Sequence, residues 1–101
     1  MVRVSDQSDP AGFDEAEELK YLHSTPVETI LGNHLFVLLQ VTALRLGDSP
    51  PDLVGAQLVI DTVAAMLSAG GARLGENVEL YRSALAEMQQ AYVRATSAPH
   101  P

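Results

Sequence analysis

Residues 25–71 read TPVETILGNHLFVLLQVTALRLGDSPPDLVGAQLVIDTVAAMLSAGG, and this stretch decides the fold. Thr25-Pro26-Val27-Glu28 sets a capping threonine ahead of a proline at the first helical position, with a glutamate three residues after the cap. That combination opens a helix, and the apolar pattern behind it runs to Leu46 before Gly47 interrupts it. Ser49-Pro50-Pro51-Asp52 repeats the opening logic, with Ser49 read as the cap. The helix it starts is expected to end near Ala69, because Gly70 and Gly71 supply the left-handed backbone that closes helices. A last helix should begin after Gly75 or Asn77 and run to about Thr96. No strand-like alternation competes with these assignments.

Spacing adds tertiary information. Leu53, Ala56, Ile60, Val63 and Leu67 follow a three-four repeat, as do Val78, Tyr81, Leu85, Met88, Tyr92 and Ala95, so each helix offers one apolar seam. The helix from Pro26 to Leu46 behaves differently. Leu35, Phe36, Val37, Leu38 and Leu39 are consecutive, and at ~100° per residue they point all the way round the axis. One seam cannot bury them, and a core built from so short a chain has no interior large enough to enclose the whole helix. The expected fold is therefore all-α: a small antiparallel bundle of three main helices completed by homodimerisation. The expected oligomer interface is Leu35, Phe36, Leu38, Leu39 and Thr42.

Working outward, residues 1–24 form an acidic N-terminal segment. Residues 1–19 carry Asp6, Asp9, Asp14, Glu15, Glu17 and Glu18 against Arg3 alone, a local charge of -5 out of a total of -7. A short helix from about Asp14 to Leu22 is an option, its first-turn acids complementing the helix dipole. The remainder of the segment has too few apolar anchors to offset its ordering entropy. Residues 25–96 make the helical domain and 97–101 a tail.

The 101 residues allow a single domain. With 13 acidic and 6 basic side chains, the bases scattered, the chain is a poor match for a phosphate backbone, so direct nucleic-acid binding is not expected. Cysteine is absent, which excludes disulfides, thiolate metal sites and cysteine nucleophiles. The first twenty residues lack the apolar run of a signal peptide, and a cytoplasmic setting is expected. Pro26 to Leu46 is the membrane candidate, but Glu28, Asn33, His34, Gln40 and Arg45 interrupt it, and no membrane role is expected.

Catalytic, cofactor and metal sites are not expected. His23, His34 and His100 stand alone, without ligand spacing, and His34 reads as a boundary or interface residue. Gly70-Gly71-Ala72-Arg73-Leu74-Gly75 lacks the Gly-Lys-Ser/Thr of a phosphate loop and reads as a helix-helix turn. Asp61 is the most unusual acid, set between Ile60 and Thr62 beside the seam. It is expected to face solvent or pair with an arginine, with a partner contact as the sharper reading. Tyr81 and Tyr92 occupy seam positions with hydroxyls that can reach water.

Thr42 to Val93 resembles the bacterial domain of unknown function 1844 family. The likeness lies in Ala43-Leu44-Arg45-Leu46-Gly47, the proline-bearing turn with Asp52-Leu53, the helix with Ile60-Asp61 and Leu67, the Gly75-Glu76-Asn77 turn, and Tyr92-Val93. The chain departs from the family pattern between the last two helices, where members carry a Lys-Thr-rich turn and this chain has Ala69-Gly70-Gly71-Ala72-Arg73-Leu74. The resemblance implies a small all-helical cytoplasmic protein without an assigned activity, and a link to translation through the genes that neighbour family members.

The functional expectation is a non-enzymatic helical protein-protein interaction module that forms a homodimer. A basic protein partner is drawn by the acidic tail. The alternative is a bundle that holds a small apolar ligand between its helices.

Overall fold

The computed structural model describes residues 14–97, and among them all regular structure is helical. The elements are α1 (Glu15–Ser24), α2 (Val27–Leu46), α3 (Leu53–Gly70), a 3-10 turn (Gly71–Leu74) and α4 (Val78–Ser97). The α-helices number four rather than three, because the optional N-terminal helix is present and reaches Ser24. Asp6 and Asp9 of the acidic segment, and His100 of the tail, lie outside the described residues.

Two helix starts differ from expectation. Thr25 does not cap α2. Its N–H donates to Tyr21 O at 3.0 Å and closes α1, and its backbone is extended (φ -84, ψ 138). The proline that follows imposes that conformation by crowding the residue before it. Pro26 then sits outside α2 rather than at its first turn, and α2 has no side-chain cap. Ser49 is not a cap either. Asp52 takes that role, its Oδ1 accepting from Gly55 N at 2.9 Å, because Pro50 and Pro51 stand between Ser49 and the first helical residue, Leu53. The Ser49–Pro50 peptide is cis. Asp52 also receives Arg45 Nη1 at 3.3 Å across the same connection.

The helices run up, down and up. α3 begins beside the end of α2, as the Arg45–Asp52 pair shows, and Leu74 beyond its far end returns to Glu28 and Leu31 at the start of α2. α4 leaves from that end. Gly71 (φ +52) and Gly75 (φ +101) make the turn, both in backbone territory that favours glycine. Gly70, expected to be left-handed like Gly71, is right-handed (φ -80, ψ -40), and it is limited by space instead: a Cβ there would lie 2.6 Å from Leu74 Cγ.

The two predicted seams meet in the core. Ala56, Ile60, Val63 and Leu67 of α3 are buried, as are Val78 and Leu85 of α4, with Tyr81, Met88 and Tyr92 packed alongside. α2 contributes Leu35, Leu39 and Thr42. Each buried aliphatic side chain stabilises the fold by about 1.5–3 kcal/mol relative to exposure. The Thr42 hydroxyl is affordable there because it donates to Leu38 O at 3.1 Å.

Candidate functional site

α2 carries two apolar faces, and only one is covered. Leu35, Leu39 and Thr42 point into the chain's own core, and Leu38 is half-buried against it. Of the five residues expected at an oligomer interface, Phe36 alone faces outward, 59% exposed. The outward face is completed by Val37 at 53% and Leu44 at 70%, which the sequence reading did not single out. Ile30, Val37 and Leu44 recur at seven-residue spacing, with Asn33 and Gln40 between them. That repeat was the available signal, and the unbroken run from Leu35 to Leu39 obscures it by supplying an apolar residue at every angle.

α3 has a weaker outer stripe. Val54 and Leu58 are exposed, and further along the same face stand Asp61 and Ala65. Asp61 faces solvent, where its Oδ1 accepts from Gln57 Nε2 at 3.0 Å instead of pairing with an arginine. It breaks the stripe with a charge that is costly to cover unless a partner supplies a donor.

α1 buries none of its residues. Asp14 caps it by accepting from Glu17 N at 2.8 Å, and Glu15, Glu17 and Glu18 fill its first turn. The Asn33 amide donates to Tyr21 Oη at 3.0 Å, which ties α1 to α2, while Leu19 and Leu22 are exposed.

At the end of the bundle where α2 starts, Glu28, Thr29, Asn33, Glu76, Asn77 and Tyr81 line an open cleft of about 380 Å³. Tyr81 holds its seam position half-buried, with its hydroxyl against Gly32, where a Cβ would push that hydroxyl aside. The cleft gathers carboxylates, amides and hydroxyls. Among the described residues no three His, Asp or Glu side chains converge as a metal ion requires. His34 is exposed, with Nδ1 at 2.8 Å from Ile30 O on its own helix.

By length and composition two stretches can cross a membrane, Val27–Leu46 and Leu53–Leu74. The sequence reading singled out only the first. A soluble core helix passes the same test, and Asp61 stands at the middle of the second stretch, where an ionised carboxylate is expensive in hydrocarbon.

Comparison with known proteins returns no matching family model, no similar curated protein and no similar solved structure.

Proposed function

We propose that this chain is a non-enzymatic protein-protein interaction module that pairs with a second copy of itself through the outward face of α2. The observation that carries this reading is the exposure of Phe36, Val37 and Leu44 on a helix whose opposite face already serves the core. Apolar side chains in a row on one face mark an association surface when they form a contiguous patch. A second copy presents the same patch, so a two-fold pair is self-complementary without any further partner. Gln40 within the face fixes register, since it loses hydrogen bonds to water unless the pairing aligns it with a donor or acceptor, while Asn33 is already engaged by Tyr21 of its own chain.

The reading is cytoplasmic and includes no membrane, nucleic acid, metal or catalytic step. A basic protein is the expected additional partner, attracted by the acidic N-terminal segment over about one Debye length, ~8 Å at physiological ionic strength. A link to translation rests on the family resemblance of residues 42–93 alone.

Light scattering on the full chain tests the reading. A mass of twice the chain, falling to one chain in Val37→Asp, is the expected result. A single-chain mass for the unmodified protein across the micromolar range refutes it.

A small apolar ligand is the second reading, favoured by a groove that Leu31, Met66, Ala69 and Leu74 line. A native mass spectrum of protein from its own host separates an added small mass from a second copy.

A further inference from the structure

We propose that α1 is an arm that docks on a second copy of this chain, in the groove walled by Leu31, Met66, Ala69, Gly70 and Leu74, with Arg73 at the rim. This rests on the self-association reading and assigns it a second, separate contact.

The first argument is that α1 is short of support. It has 10 residues and buries none of them. Helices below ~12–15 residues are marginal in water even with good caps. The Asp14 cap and the first-turn acids help locally, but a helix of this length gains most of its stability from covering an apolar face.

The second argument is direction. Tyr21 is the residue that hydrogen-bonds to Asn33 of its own chain. At ~100° per residue, Leu22 lies about 100° and Leu19 about 200° round α1 from Tyr21, so the leucine face turns away from its own α2. The groove lies on the other side of α2 as well: Leu31 is about 200° from Asn33. An arm held at Asn33 therefore turns its leucines away from the groove of its own chain, and the occupant is drawn from another molecule.

The third argument is chemical fit. Two adjoining concavities of about 290 and 260 Å³ share Leu31, Gly70, Arg73 and Leu74. Their walls are aliphatic, suited to Leu19 and Leu22. Glu15 and Glu18 each precede one of those leucines by four residues and so flank them on the helix surface. Arg73 is exposed. Its Nη2 donates to Ala69 O at 2.8 Å and its Nε to Gly70 O at 3.4 Å, holding the guanidinium beside the groove. Among the described residues it forms no ion pair with a carboxylate. Glu28 stands at the Val27 end, so an acidic arm is directed to the Met66–Ala69 end, where Arg73 is the nearby charge.

Because the chain has no cysteine, a pair of introduced thiols is unique. Full-length Leu22→Cys and Ala69→Cys chains, mixed at equal concentration and oxidised, should form the mixed disulfide in excess over a mixture of Leu22→Cys with Thr62→Cys. Adding Arg73→Glu to the Ala69→Cys chain should lower that excess about two- to five-fold, the range a rim ion pair carries. Combining it with Glu18→Arg on the other chain should restore the yield. Equal yields in the two mixtures, or an excess that Arg73→Glu leaves unchanged, overturn the proposal. Light scattering on the unmodified chain keeps the two readings apart: a dimer without the preferred disulfide removes the arm alone, whereas a single-chain mass removes the pairing reading beneath it.

Discussion

α2 and α4 are both 20 residues long and pack into one core, but their outer surfaces differ. α4 turns Arg82, Ser83, Glu87, Gln89, Gln90 and Arg94 to solvent, with Leu80 and Val93 exposed singly about 140° apart round the helix, the ordinary arrangement of a helix with one apolar stripe. α2 turns out Phe36, Val37 and Leu44 instead. The core needs only one face from each helix, and Leu35, Leu39 and Thr42 supply it for α2 as Val78 and Leu85 do for α4. The outer face of α2 therefore makes no core contact within one chain, and among the described residues Asn33 alone on it is tied to another element, α1.

Inner-face truncations should make the two helices look alike. Leu35→Ala and Leu85→Ala each remove a buried leucine, and each should cost about 2–5 kcal/mol in chemical denaturation. A much smaller loss for Leu35 would mean that α2 is not seated in the core. Outer-face substitutions should separate the helices. Val37→Asp places a carboxylate in an apolar contact and should raise the dimer dissociation constant roughly hundredfold, about 2.8 kcal/mol, as read by analytical ultracentrifugation. Gln90→Asp, the α4 counterpart, should leave it unchanged.

Two smaller effects sharpen the comparison at the connections. Gly70→Ala forces Leu74 from its place against α3 and should destabilise by about 1–3 kcal/mol in thermal unfolding. Asp52→Ala removes the α3 cap, with an expected loss of about 0.5–2 kcal/mol on the same measurement. Smallest is removal of residues 1–19, which takes away the exposed start of α1. In dilute protein it should shift the melting temperature by less than about 4 °C, under ~1 kcal/mol in a chain of this size.

The seams of α3 and α4 were legible residue by residue because their apolar positions recur at one angle, and Leu67 and Leu85 fall where that spacing places them. α1 was legible in its first-turn acids, Glu15, Glu17 and Glu18, whereas the cap that Asp14 supplies was not read. The partition of α2 was not legible. With five apolar residues in succession, periodicity gives no preferred inward direction, and the choice of Leu35 over Phe36 is made by the seams of the other two helices. Caps near proline were misread for a related reason. Thr25 and Ser49 have the right side chains, but the proline beside each dictates the local backbone, and the cap role goes to whatever residue ends up one position before the first turn. The surplus of apolar surface on α2 was thus legible, but not which of its residues face outward: of the five expected at an interface only Phe36 does.

The bareness of α1 also determines how the chain opens. Native proteins unfold in pieces, and the cost of each local opening follows the apolar contact it breaks. α1 has no buried side chain to uncover, so its backbone amides should exchange with solvent through excursions that leave Val63 and Leu35 undisturbed. Amides in the middle of α3 should exchange only when the whole core opens. The slow-exchanging core and fast-exchanging arm then form an internal pair of clocks, one reading global opening and the other the local freedom of the arm.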